Sequence, residues 1–247
     1  MKTILLLAYT WTILIAGSQG YFFISNINAQ SNNVVNNENE TGVIPQTFTD
    51  VDLPTKPESQ RVDLVMPSFS NPTNITNPLF PISKLHSAVL LGNIDGAIFR
   101  AETTLLPETR VVDLNGTKIE TSVSQYTAYL NGRIHEIALD LYAQADDGSV
   151  WYFGEDVYNY KDVVVEDTEG TWLAGKDGPA AMIMPAIPKV GDVFRPENIP
   201  GNVLEEVEVK SIDAKVEGPF GPVNGAIITE ELHMDGKYED KIFAPKY

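Results

Sequence analysis

The sequence predicts an all-β domain, either a single antiparallel barrel or a strongly curved sheet, with a β-sandwich as the alternative. Three observations carry that expectation. Runs rich in Val, Ile, Thr and Tyr recur from about residue 96 to the C-terminus. Tight-turn signals separate them. No window of a dozen residues shows the 3.6-residue apolar period of a helix.

The elements follow in order. Gly96–Leu106 and Lys118–Leu130 read as strands. Asn131-Gly132 supplies the positive φ angles of a two-residue hairpin turn, so Arg133–Ala145 is the return strand. Asp147-Gly148 is read as a second such turn, leading into Val150–Phe153. Val163–Val165, Glu205–Ile212 and Gly225–Met234 are further strands, and Asp235-Gly236 turns the chain into Lys237–Ala244. Gly170–Pro200 is dense in Gly and Pro, which excludes a helix or a central strand. It is expected to be a long loop covering a core edge or a site.

Two-residue turns fix registers. Tyr126 is expected opposite Ile137, and Ala143 opposite Tyr152. One face then carries Ile137, Leu139, Leu141, Ala143, Val150 and Tyr152 and reads as core. The other carries Asp140, Tyr142, Gln144, Trp151 and Phe153, a mixture of polar and aromatic groups; a slip of one residue reverses the assignment. In the last hairpin Glu231 is expected opposite Asp240, and His233 opposite Tyr238. Opposed carboxylates repel unless a cation or a proton sits between them.

The start of the chain has a different character. Lys2 followed by the apolar run Ile4–Ala16 is the pattern of an export signal. Ser18-Gln19-Gly20 suits cleavage after Gly20. A span from Ile4 to Ile27 is also long enough for a retained membrane anchor. Residues 1–20 are therefore expected to be a signal peptide or anchor, and both place the rest of the chain outside the cytoplasm. Residues 21–74 are read as a disordered polar, Pro-rich stalk, the poor composition running on to about residue 85. The domain is expected over 75–247.

Composition restricts the chemistry. The 247 residues carry a formal net charge of −17, with no Cys and three His. So acidic a chain is a poor nucleic-acid partner, and membrane contact is expected only through the N-terminal segment. Without Cys there is no thiol catalysis, disulfide or Cys-ligated metal. Nucleophile-elbow, zincin, phosphate-loop and dinucleotide motifs are all missing from the sequence.

Two segments resemble a family of uncharacterised exported bacterial and archaeal proteins. Asp147-Gly148-Ser149-Val150-Trp151-Tyr152-Phe153-Gly154-Glu155-Asp156 is one. The other is Trp172-Leu173-Ala174-Gly175-Lys176-Asp177-Gly178 with Met184-Pro185-Ala186-Ile187-Pro188-Lys189-Val190-Gly191-Asp192-Val193-Phe194-Arg195-Pro196-Glu197. Asn77-Pro78-Leu79-Phe80-Pro81 is similar to the opening of the family domain. Pro179–Met182 departs from the family pattern, as does the end at Tyr247. The resemblance implies an extracytoplasmic location and a fold, but no activity.

Three functions are weighed. The first is a non-catalytic module holding a small apolar or amphipathic ligand among Tyr142, Trp151, Phe153, Trp172, Met182, Met184, Phe194 and Arg195. The second is a structural or interaction domain with a solid core, in which the same aromatics are packing and Arg195 is a salt bridge. The third is a carboxylate-dependent hydrolase or isomerase. No cofactor and no catalytic residue are assigned. A divalent cation at Glu231, His233 and Asp240 is the one metal site the pattern suggests.

Overall fold

The computed structural model describes residues 22–23, 53–84, 87–94, 96–199, 201–218 and 221–245. The export segment, the cleavage positions and residues 24–52 of the expected stalk lie outside the described residues.

The described chain is all-β and forms two sheets. Strands β1 (Phe22–Phe23), β2 (Ser87–Ile94), β3 (Ala97–Leu114), β4 (Thr117–Leu130), β5 (Arg133–Gln144), β6 (Val150–Lys161) and β7 (Val164–Asp167) lie side by side in chain order. All these pairs are antiparallel except the short β1–β2 contact. The far edge of β6 is shared. β7 takes its C-terminal end, β8 (Trp172–Leu173) its middle and β9 (Ala181–Met184) its start. The second sheet is an antiparallel meander of β10 (Val193–Ile199), β11 (Val203–Gly218), β12 (Gly221–Leu232) and β13 (Tyr238–Phe243). No closed barrel forms, which corrects the single-barrel expectation. The two sheets share one large core, joined by Tyr152, Trp172 and Met184 on one side and Phe194, Val207 and Phe243 on the other.

The Gly/Pro-rich segment is not a loop throughout. It supplies β9 at one edge of the first sheet and β10 at one edge of the second. Pro196 is tolerated in β10 because it sits where the register shifts between Phe194 and Glu197, on an edge strand.

Residues 53–84 lie against the sheets; within the part of the expected stalk that is described, Asp63 accepts from the Arg195 N–H at 2.9 Å and the Ser70 N–H donates to Asp146 at 2.8 Å. Ile75, Phe80 and Ile82 are fully buried. The Gln144 side-chain carbonyl accepts from the backbone N–H groups of Thr76 and Asn77 at 2.7 and 2.8 Å. The Asn77 amide donates to the carbonyls of Gly148 and Pro185. Average composition concealed three well-placed apolar residues and a set of side-chain partners for a backbone that joins no ladder.

Turn chemistry explains the registers. Asn115 and Asn131 adopt φ of 54° and 50°, each followed by a glycine at positive φ, so both hairpins close with two residues. The Asp-Gly hairpins close with three. The Ala145 N–H donates to Ser149 O, and the His233 N–H to Lys237 O, with Gly148 and Gly236 at positive φ. The extra residue moves both registers by one. Tyr142 therefore pairs with Tyr152, and Glu231 with Glu239 in place of Asp240. In the β4–β5 hairpin a bulge between Ala128 and Tyr129 places Tyr126 opposite Ala138.

Candidate functional site

The corrected register divides β6 into two unlike faces. Trp151 pairs with Ala143 and alternates with Phe153, which packs edge-on against Phe69 at 5.5 Å. Both are fully buried, and the Trp151 indole N–H donates to Ser149 Oγ at 2.9 Å. This is dry core. Tyr152 lies on the other face with Tyr142, Asp140 and Glu155. A bulge puts Glu155 there. Between the Asp140–Glu155 and Tyr142–Tyr152 pairs, β6 carries one more residue than β5. Gly154 takes it up at a φ of 127°, where a Cβ would strike the Trp172 carbonyl oxygen. An added residue in one strand re-aims the side chains beyond it. Without it, Glu155 would fall on the Trp151 face.

The polar face is closely built. The Tyr152 hydroxyl donates to Asp140 Oδ1 at 2.8 Å. Tyr142 stacks on Tyr152 at 4.8 Å, and Trp172 meets Tyr152 edge-on at 5.3 Å. Phe80, from the segment preceding the sheets, abuts Tyr142.

The second sheet answers with three more carboxyls. Glu197 on β10 pairs with Glu205 on β11, and Glu231 comes from β12. All three are at most 3% exposed. Glu231 forms a buried ion pair with Lys241 of β13. His233 Nδ1 lies 3.1 Å from Glu205 Oε1, and its Nε2 lies 3.5 Å from Glu239 Oε2. Glu155 and Glu197 meet where the sheets approach. A cavity of about 30 Å³ remains, walled by Tyr152, Phe194, Glu197, Glu205, Glu231 and Lys241. That is space for a water or two, or for one ion.

The electrostatics follow from burial. Burial, then the charges of neighbouring carboxylates, pushes Asp140, Glu155 and Glu205 well above the usual carboxylate range. Burial raises Glu197 to about 7, and burial with the Glu197 charge raises Glu136 to about 7. Glu231 is the exception. Burial would raise it too, but the Lys241 ammonium holds it below its ordinary value. The centre is thus a Glu231–Lys241 ion pair beside carboxyls whose proton affinity burial has raised. Glu205 and Glu231 share a carboxyl–carboxyl hydrogen bond, and Glu197 shares others with Glu155 and the Trp172 indole.

The residues expected at a ligand site are dispersed. Phe194 lines the cavity, while Tyr142 and Trp172 flank Tyr152. Trp151 and Phe153 belong to the opposite, dry face, correcting their grouping with Tyr142 and Asp140. Met182 and Met184 are buried along the β6–β9 pairing. The Arg195 guanidinium turns to Glu206 and Asn198, at 3.0 and 3.1 Å. Among the expected metal ligands, Glu231 and His233 come together, but Asp240 is exposed, and Glu205 stands in its place. Glu155, Glu197, Glu205 and Lys241 were not assigned to any site from the sequence, and Tyr152 was placed on the core face. The usable signal was a carboxylate inside an apolar strand pattern, as in Val203-Leu204-Glu205-Glu206-Val207.

No protein-family model matches this chain, no curated protein is significantly similar to it, and no solved structure matches its fold.

Proposed function

We propose that this chain is an exported, non-catalytic binding module whose site is the carboxyl-lined cavity between the sheets, and that its ligand is small and positively charged. The carrying observation is the set of three buried glutamates, Glu197, Glu205 and Glu231, gathered around one cavity. Burying several carboxyls together disfavours their charged forms. A cation entering the cavity would offset that penalty. An apolar ligand suits the site less well. Organic ligands occupy pockets of roughly 300–1,000 Å³, an order of magnitude more than this cavity. The pattern Lys2, Ile4–Ala16, Ser18-Gln19-Gly20 supports export, as does the resemblance of residues 147–156 and 172–197 to exported proteins.

The test is a melting series with ammonium, methylammonium, guanidinium, Zn²⁺ and Mn²⁺ salts, on the wild type and on Glu205→Gln with Glu231→Gln. The reading expects a saturable rise in melting temperature with at least one cation, lost in the double variant. No rise with any of them would leave a structural domain with a buried polar network.

One observation favours a second reading, a carboxylate-dependent hydrolase or isomerase. Glu205 is driven up and the adjacent Glu231 is held down, and such a split separates a proton donor from a base. That reading expects turnover of an ester or glycoside panel that Glu205→Gln abolishes without loss of fold.

A further inference from the structure

We propose that Lys241 and Glu231 condense into an intramolecular amide that cross-links β12 to β13, with Glu205 as the proton carrier. The proposal goes beyond the binding reading and does not rest on it.

Lys241 is the one buried lysine among the described residues. Its side chain is 4% exposed and that of Glu231 1%, whereas the other lysines in ion pairs are at least 38% exposed. Glu231 pairs with Glu239 and Lys241 with Thr229, so the two are diagonal neighbours on one face of the β12–β13 hairpin. Lys241 Nζ rests on Glu231 Oε2, which brings the amine to the carboxyl carbon it would attack. Phe194, Val207 and Phe243 wall the cavity beside them. Two opposite charges are costly in such a place, and an amide made from the same atoms is neutral.

Glu205 meets a second requirement. It shares a hydrogen bond with Glu231. Two carboxyl groups share one only if one of them holds a proton, and Lys241 keeps Glu231 the acceptor. Glu205 therefore presents an acid proton to the carboxyl that must lose an oxygen. His233 Nδ1 lies 3.1 Å from Glu205 Oε1 and helps to hold that carboxyl in place.

The condensation needs no outside reagent. One ammonium proton passes to Glu231, leaving an amine and a carboxylic acid. The Nζ lone pair then forms the bond to Glu231 Cδ. Glu205 gives its proton to the departing hydroxyl, a Cδ–O bond breaks, and Glu205 takes back a proton from the nitrogen. One water leaves, and nothing is oxidised or reduced. The cavity of about 30 Å³ has room for that water. The ion pair is thus the freshly folded state, and the amide forms on standing. Glu197 and Glu205 remain as carboxyls of the cavity. A chain with no Cys forms no disulfide, and this amide would tie the edge strand β13 to its neighbour.

The experiment follows the intact mass of purified full-length protein, before and after prolonged incubation. The expected result is a species lighter by one water. Trypsin should release segments 216–237 and 238–246 from it as one joined product, uncut after Lys241. Lys241→Arg should keep its full mass. Glu205→Gln, which leaves both reacting groups in place, should slow conversion roughly a hundredfold. Should Lys241→Arg not fold, Glu205→Gln and the joined product of the wild type still decide the matter. A wild type that keeps its full mass would overturn the proposal. So would a loss of water that survives Lys241→Arg, since an Asp-Gly pair such as Asp235-Gly236 can also lose water by closing a succinimide. Conversion of Glu205→Gln at the wild-type rate would overturn the role given to Glu205.

Discussion

The two faces of β6 are equally buried and differently made. On one, Trp151 and Phe153 pack against Phe69 and Ala143, and the Trp151 indole N–H is satisfied by Ser149. On the other, Tyr152 and Glu155 join Asp140, and the second sheet adds Glu197, Glu205 and Glu231. Adjacent residues of one strand thus enter a dry core and a polar centre. The two faces are stabilised by different means. The dry face contributes area and dispersion. The polar face must be stabilised by protonation, by Lys241 or by a ligand, because unpaired buried charge is costly.

The comparison breaks most visibly on the dry face. Trp151→Ala should cost about 3–5 kcal/mol in urea unfolding, the usual range for a large aromatic removed from a core. The same variant should leave the cation response of the melting temperature intact if it still folds. A small loss of stability would mean that the Trp151 face is not core.

Next is the residue that creates the second face. Gly154→Ala places a Cβ against the Trp172 carbonyl and forces a non-glycine side chain to a φ of 127°. The expected cost is roughly 1–3 kcal/mol. The larger signature is chemical, since Glu155 should leave the polar face. Tyr152 and Trp172 resonances should shift more than those of Trp151.

The pH dependence separates the faces without any substitution. Asp140, Glu155 and Glu205 have folded-state pKa values above their unfolded ones, and Glu136 and Glu197 reach about 7. Between about pH 4.5 and 7 the native state therefore holds more protons than the unfolded chain, and stability is lost as pH rises through that window. Each excess proton contributes a slope of about 1.4 kcal/mol per pH unit. Glu231, whose pKa is lowered, opposes this, losing its contribution as pH falls. The net expectation is a melting temperature that declines from pH 5 to pH 8, with a shallower decline in Glu155→Gln. A rise over the same range would contradict the buried-acid assignment.

The smallest effect belongs to Asp240→Asn. Asp240 is exposed on β13, so a change within about 0.5 kcal/mol is expected in thermal unfolding. A larger one would revive the two-residue register in which it faces Glu231.

Much of the sheet order was legible because the strands alternate and turns punctuate them. Turn closure was legible only where asparagine led the turn, and even there the bulge between Ala128 and Tyr129 moved Tyr126 from Ile137 to Ala138. Asn131-Gly132 closes with two residues because asparagine tolerates positive φ, and Asn115-Gly116 repeats the device. Asp147-Gly148 and Asp235-Gly236 look alike in one-letter code, yet each loop takes one more residue. That single residue exchanged Asp240 for Glu239 opposite Glu231 and moved Tyr152 to the polar face. The bulge at Gly154 was hidden for a related reason. A glycine in a strand signals an irregularity, but not which side chains it will re-aim. Glu197 was hidden further, in a Pro-containing segment whose strand character comes from pairing with β11.

The central claim is that burial between the sheets raises the carboxyls' pKa values, apart from the one held by Lys241. A ¹³C titration of side-chain carboxyls in Asp- and Glu-labelled protein tests it most directly. Asp140, Glu155 and Glu205 should keep the chemical shifts of protonated carboxyls at pH 7, Glu197 should titrate near 7, and Glu231 should be ionised well below pH 5. Titration of all five below pH 5 would contradict the claim.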